Sequence, residues 1–416
     1  MKSKFVETAS QVVNYSVEQR VAHLNTLNIP FNKNKINTTE GSLVNFSLCD
    51  YLSLSTDKRI IESAVKSIRN NGVYTAISRT YLKLGIYEEA EQIIADIFKK
   101  PVLLLPRTTL GHITALPIII DKNDAVILDQ QVHTSVRIAT DMLQTYGIHV
   151  ETIKHNNLNQ LQDKINALKN TKNKIWYMAD GVYSMFGDCL PAKEIKQMLD
   201  DNEQLYLYAD DAHGMSWKGE NGNGLVLSEI GYHPKLFLTT SLGKGFGAGG
   251  GALVCPDKKT KDMIALLGAP LMFTSPVEPS TLGSIIASAK IHLSQEIIEK
   301  QNKLALNIEY FYRRAKELGL PVVDSTPTPI ALMATIKPDI VIDIGRRMFD
   351  KGFHLTGGVF PSVPFNSSGV RVTISLYQSI QDIENLLNAF SISYEEELKK
   401  RKMDMEQIFK HFKIPY

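Results

Sequence analysis

Six short apolar runs, each closed by turn residues and separated by helix-length segments, constrain this chain more than any other feature: Val102–Leu105, Ala125–Asp129, Ile175–Ala179, Leu205–Ala209, Leu236–Thr240 and Ala252–Cys255. Runs this continuous suit strands buried on both faces, and spacers of that length suit covering crossovers. The spacing therefore predicts an α/β domain with a mostly parallel central sheet flanked by helices. After Ser275 the texture changes. A helical pattern covers Thr281 to Leu318, then Pro321, Pro327, Pro329 and Pro338 punctuate short strands that include Ala331–Ile336 and Val370–Ser375, before a final helix from Ile380. The expected organisation is an N-terminal segment (1–55), a large α/β domain (56–290) and a smaller C-terminal α+β domain (291–416). Gln160 to Lys174 reads as an amphipathic helix running into a polar turn, and the charge-laced stretch Glu395 to Phe412 as a solvated helix.

Charge excludes one function class. With 46 Lys+Arg against 44 Asp+Glu over 416 residues, the chain lacks the basic excess of a dedicated nucleic-acid binder. At 44% hydrophobic and 22% charged residues it is neither disordered nor fibrous. Cys49, Cys189 and Cys255 are odd in number and widely spaced, which fits neither a disulfide framework nor a zinc cluster and implies a reducing compartment. The longest apolar stretches fall short of a bilayer span, and the opening Met1-Lys2-Ser3-Lys4-Phe5 leads into Glu, Gln and Asn rather than an apolar core. A cytoplasmic protein without a membrane span is expected.

Two stretches carry chemistry. Ser241-Leu242-Gly243-Lys244-Gly245-Phe246-Gly247 follows a buried run, so a lone lysine sits among glycines that permit close backbone approach, with room for a planar cofactor. The spacing is not that of a phosphate-binding P-loop, and a flexible turn with a solvated lysine satisfies the same residues. Upstream, Leu205–Ala209 delivers Asp210, Asp211 and His213 to the carboxyl end of a strand, where open α/β sheets bind ligands. A carboxylate there can pair with a protonated pyridine nitrogen, and the histidine can reach a phenolate oxygen. A helix cap, a surface histidine or a two-ligand metal site are the alternatives, the last weakened by the lack of further clustered ligands.

In combination, Asp210-Asp211-Ala212-His213, Gly219 to Gly224 and Ser241 to Gly247 resemble the signature of the α-oxoamine synthases, pyridoxal-phosphate (PLP) enzymes of the aspartate aminotransferase fold, fold type I. The resemblance runs from about Phe46 to the Gln381 region. It includes Asp180-Gly181-Val182-Tyr183-Ser184-Met185, Asp129 with His133-Thr134-Ser135, the pair Ser78-Arg79, and Val370-Arg371-Val372-Thr373-Ile374. It implies that Lys244 forms the Schiff base with pyridoxal 5'-phosphate, that Asp210 faces the pyridine nitrogen, and that His133 stacks on the ring. His213 and Ser184 are implied near the ring's oxygen side. Thr108 and Thr109 match the phosphate-binding pair, before a helix whose first N–H groups point at the phosphate. Ser241 adds a phosphate contact, and Ser275 matches a position contributed by the neighbouring subunit of a homodimer with shared active sites. Arg371 is implied as the clamp on the substrate carboxylate, with Arg79 and Cys49 also at the substrate; no metal is implied.

The chain departs from that family where Leu48-Cys49-Asp50 stands for Ser-Asn-Asp, Thr109 for an aromatic, Gly111-His112 for Ala-Asn and Tyr87 for a histidine. These departures are expected at the substrate end, not around the cofactor. The implied function is a PLP-dependent acyltransferase that condenses an amino acid with an acyl thioester, on coenzyme A or a carrier protein, with decarboxylation to an α-amino ketone. The alternative is another fold-type I reaction on an amino acid: an aminotransferase, lyase or decarboxylase.

Overall fold

The computed structural model describes residues 3–29 and 32–414. The chain divides into two compact units, one of Met1–Tyr51, Ser184–Asp188 and Asn302–Tyr416, the other of Leu52–Tyr183 and Cys189–Gln301. The first unit opens with helix α1 (Lys4–Glu18), capped by the Ser3 hydroxyl, which accepts from the Val6 N–H. Strands β1 (Lys35–Thr38) and β2 (Gly41–Asn45) follow as an antiparallel hairpin.

The second unit places helices α2 (Lys58–Asn71) and α3 (Gly85–Phe98) ahead of its sheet. Strand β3 (Val102–Leu105) leads into α4 (Thr108–Ile119), and β4 (Ala125–Asp129) into α5 (Thr134–Thr145). Strands β5 (His149–Ile153), β6 (Ile175–Asp180), β7 (Leu205–Asp210), β8 (Leu236–Ser241) and β9 (Gly251–Val254) complete seven strands in the order β3-β9-β8-β7-β6-β4-β5. Only β9 runs against its neighbours.

The apolar runs are continuous because both faces are covered. Leu104, Ile127, Tyr177, Leu207 and Leu238 fill the core on one face, while Leu103, Val126, Trp176, Tyr208 and Phe237 fill the other, as the period of two in a strand requires. Each such side chain contributes about 1.5–3 kcal/mol on burial. The parallel strands β4, β6, β7 and β8 end at Asp129, Asp180, Asp210 and Ser241, so polar residues collect at one edge of an otherwise apolar sheet.

In the first unit, β10 (Ile330–Ile336), β11 (Phe353–His354), β12 (Thr356–Gly358) and β13 (Ser368–Thr373) follow; β10, β13 and β12 form an antiparallel sheet, and β11 joins β2. The long helical pattern after Thr281 is two helices, Pro279–His292 and Glu296–Glu317, parted at Leu293 to Gln295. The expected solvated helix is a correction. It divides between Ile380–Arg401 and Met405–Phe412, and it is not solvated throughout: Leu398, Ile408 and Phe409 are buried. Glu397 is buried as well, because it accepts from Arg347 and Arg401. No helix among the described residues is long and apolar enough to cross a membrane.

Candidate active site

A cavity of about 550 Å³ opens at the polar edge of the second unit's sheet. It gathers Thr108, Thr109, His133, Asp210, His213, Ser241 and Lys244, seven of the residues singled out in the sequence. Beyond these, Asp180 of the Asp180–Met185 motif lines it, as do Arg107 and Thr281, which no motif had flagged. Among the described residues, no group of three or more His, Cys, Asp or Glu side chains is arranged to hold a metal ion.

Lys244 follows β8 in a tight turn. Gly247 closes that turn with its N–H donating to the Lys244 carbonyl, at a φ of +74° where a Cβ would stand 2.4 Å from the Leu54 Cβ, so glycine is required twice over. The Lys244 Nζ lies 2.7 Å from Nε2 of His213, which is buried. An amine and an imidazole at this distance can pass a proton between them.

Asp210 ends β7. Its Oδ1 accepts from the Ala212 N–H at 3.0 Å and its Oδ2 meets Nε2 of His112 at 3.1 Å. Burial works to raise this carboxyl, but the His112 hydrogen bond and the positive charge of Lys244 outweigh it and hold Asp210 below the usual carboxylate range. Next to it on β6, Asp180 goes the other way: burial, then the charge of Asp210, push it well up. Two neighbouring strand ends thus carry carboxyls shifted in opposite directions. Asp211 faces away from the cavity. Its Oδ2 accepts from Val226 N–H at 3.0 Å, capping a short helix, and a Cβ on Gly181, Gly214 or Gly224 would collide with its carboxylate. Burial pushes Asp211 up to about 8.

His133 caps α5, its Nδ1 accepting from the Ser135 N–H at 3.3 Å while its own backbone N–H donates to Asp180 at 3.1 Å. The first bond fixes the ring and the second the backbone that carries it, and burial lowers the pKa of the imidazole. Helix α4 starts at Thr108 itself, so Thr108 and Thr109 form its first turn rather than precede it, and no side chain caps it. Thr108 and Thr109 of this first turn line the cavity, so the helix end with its partial positive charge lies at it. The Ser241 hydroxyl accepts from the Gly243 N–H at 3.2 Å beside it.

These features fit a planar phosphorylated aldehyde: an uncapped helix terminus and hydroxyls for the phosphate, a fixed flat imidazole for the ring, a buried carboxylate for a ring nitrogen, and a lysine at a strand end for the aldehyde.

The remaining predicted residues lie elsewhere. Arg371, on β13 of the first unit, is buried; its Nε donates to the Ser184 carbonyl at 2.7 Å, and its Nη2 lies 3.4 Å from the Cys49 Sγ. Ser184 and Cys49 belong to the same unit. Arg79 pairs with buried Glu91 at 3.0 Å, donates to the Leu104 carbonyl and stacks 4.6 Å over the Tyr87 ring. Ser275 accepts from the Tyr74 hydroxyl.

His112 is a correction. As a departure from the family pattern it was expected at the substrate end, yet α4 turns it inward onto Asp210 and Tyr208. The sequence could not reveal this, since helical position 112 meets strand position 210 only through packing.

A model of the aminotransferase class I and II family matches residues 41–390. An 8-amino-7-oxononanoate synthase of Petrotoga mobilis is 27% identical over 367 residues, covering 85% of this chain and 89% of its own. The fold is shared with a serine palmitoyltransferase of Sphingomonas wittichii, at a TM-score of 0.84 and 17% identity over 95% of this chain and 99% of that one. It is shared equally with SPT solved with PLP, at a TM-score of 0.85 and 19% identity over 95% and 99% of the two chains. With most of its length matched by the family model and PLP fold type I in its architecture, the chain belongs to the aminotransferase class I and II family, as the resemblance to the α-oxoamine synthases within it implied.

Proposed function

We propose that this protein is a PLP-dependent acyltransferase that joins an amino acid to the acyl group of a thioester, with loss of carbon dioxide, to give an α-amino ketone. The observation that carries this reading is the Lys244–His213 pair at 2.7 Å in the cavity that also holds buried Asp210. The names of its relatives support it. An 8-amino-7-oxononanoate carries its amine and ketone on adjacent carbons, and a serine palmitoyltransferase transfers an acyl group to an amino acid.

When bound, pyridoxal phosphate supplies an electron-withdrawing ring that stabilises negative charge at the amino acid's Cα. The chain's own residues do the rest. The α4 terminus with Thr108, Thr109 and Ser241 binds the phosphate. Asp210 keeps a proton on the ring nitrogen, since an ionised carboxylate favours a cation beside it. His133, its ring fixed by Ser135, would stack on the cofactor ring and orient it. Lys244 removes the proton from Cα, and His213, within hydrogen-bonding distance of its Nζ, positions that amine. Arg371 binds the substrate carboxylate through its planar fork, with Cys49 beside it.

The working form is proposed to be a homodimer in the cytoplasm. Phe273 and Tyr81 are each 82% exposed and Val73 is 73% exposed, and Tyr74, next to Val73, is joined to Ser275; large apolar side chains left exposed in this way are ones a second subunit would cover. The three cysteines form no disulfide, as in a reducing compartment.

Thiol release from an acyl-coenzyme A in the presence of single amino acids tests the reading. Release that requires both the amino acid and PLP is expected. Amino-group transfer to a keto acid without thiol release would favour an aminotransferase.

A further inference from the structure

We infer that His112, braced by Tyr208, is a positioning residue that holds Asp210 in the orientation needed to bind a protonated ring nitrogen; this rests on the PLP reading above. The His112 ring is completely buried, with Nδ1 2.9 Å from the Tyr208 hydroxyl and Nε2 3.1 Å from Asp210 Oδ2. Tyr208 and Asp210 stand two residues apart on β7 and so share a face of the strand. One imidazole from α4 spans both.

Counting protons fixes the direction of the chain. A carboxylate has no proton to give, so Nε2–H of His112 donates to Oδ2. A neutral ring then accepts at Nδ1 from the Tyr208 hydroxyl. With the Ala212 N–H on Oδ1, each oxygen of Asp210 receives one donor, which sets the carboxylate plane while both oxygens keep acceptor capacity. Lys244, His133, Asp180 and Asp211 are further charged or titratable groups around Asp210, and Thr239 and Cys255 adjoin Tyr208. Of these only His112 hydrogen-bonds the carboxylate while being held from its far side. The asparagine that the family resemblance places at this position is a shorter side chain without the second ring nitrogen, so the brace on Tyr208 is a feature of this chain.

The test uses the holoprotein reconstituted with PLP and two readouts other than turnover: the PLP dissociation constant, and the pH midpoint of the cofactor's visible absorbance. His112→Leu keeps an apolar filling but removes both bonds. It is expected to weaken PLP binding about tenfold, the scale of one charge-assisted hydrogen bond. The absorbance midpoint rises by about one pH unit, because a positive charge lost from the ring nitrogen no longer disfavours protonation at the Lys244 nitrogen. His112→Gln, which offers a donor and an acceptor at comparable reach, restores both readouts to within about threefold. Tyr208→Phe shifts the midpoint in the same direction by less. A His112→Leu protein with unchanged PLP affinity and midpoint would overturn the proposal, whatever its melting temperature. Should that variant fail to fold, Tyr208→Phe decides: a raised midpoint supports the brace and an unchanged one overturns it. A wild-type protein that takes up no PLP, or a Lys244→Ala variant with an unaltered visible band, overturns the PLP reading itself and this role with it.

Discussion

The guanidinium of Arg371 meets the thiol of Cys49, Nη2 lying 3.4 Å from Sγ, while its Nε is engaged by the Ser184 carbonyl at 2.7 Å. A thiol is a weak acceptor, so this pair orients the arginine without neutralising it, as a carboxylate clamp requires. Arg371→Ala is expected to keep the fold and the bound cofactor but to weaken amino-acid binding by roughly one to two orders of magnitude. Cys49→Asn supplies a stronger acceptor, and an amide donor for the carboxylate, and is expected to tighten binding. Spectral titration with amino acids measures both; an unchanged constant in Arg371→Ala would place carboxylate recognition elsewhere.

The two adjacent aspartates should separate cleanly. Asp210→Asn, saturated with PLP, is expected to lose most activity, because an amide cannot stabilise a positive ring nitrogen. Asp211→Asn should keep activity, since that side chain points away from the cavity and caps a helix. If Asp211→Asn is the inactive variant, the assignment at this strand end is wrong.

Asp211 also makes a pH prediction. Its folded pKa of about 8 lies above the ordinary value of 3.8, so between these limits the native state holds a proton that the unfolded chain has released. Stability therefore falls as pH rises through that window, by at most about 1.4 kcal/mol per pH unit from this group. Asp211→Asn removes the titration. Urea unfolding from pH 5 to 8 is expected to show a steeper decline in the wild type than in the variant; parallel curves would contradict it.

In the first unit, Glu397 binds Arg347 at 3.1 Å and Arg401 at 2.6 Å from a fully buried position. Glu397→Ala takes one acceptor from each arginine, while Glu396 stays with Arg347 and Asp339 and Asp343 stay with Arg401. The cost should be about 2 kcal/mol, below that of a wholly buried pair because both arginines keep contact with water. Denaturant unfolding measures it, and PLP affinity is expected to stay unchanged.

Much of this was legible in the sequence because burial on both sheet faces leaves an unbroken apolar signature. Val102–Leu105 and Ala125–Asp129 are the strands β3 and β4 to the residue, three other runs stop one residue short of β6, β7 and β8, and Ala252–Cys255 is displaced by one residue from β9. Strand β5 was missed for the converse reason. At the sheet edge it carries His149 and Glu151 and buries only Ile153, so it has no apolar run. Helix α1 and the β1–β2 hairpin were missed because their buried positions are few and scattered among polar residues. The cavity residues that stand in glycine-rich or strand-end motifs were readable: Lys244, Asp210 and His213. His112 and Asp180 stand in stretches the sequence singles out, but their place beside Asp210 comes only from the packing of α4 and the pairing of β6 with β7. The charge run near the C-terminus misled because Glu397 looks solvated in sequence and is paired in the interior.

Phe273, 82% exposed, tests the proposed dimer. Phe273→Asp is expected to shift the holoprotein toward the monomer in sedimentation velocity, with the wild type sedimenting as a dimer. A monomeric wild type at working concentration would rule the dimer out.

The most direct measurement is borohydride reduction of the PLP-loaded protein followed by peptide mapping. Lys244 is the lysine in the cavity, in the glycine turn after β8 with its amine 2.7 Å from His213. A single phosphopyridoxyl label on the peptide that contains Lys244, absent in Lys244→Ala, is the predicted result. A label on any other lysine, or none, would contradict the account.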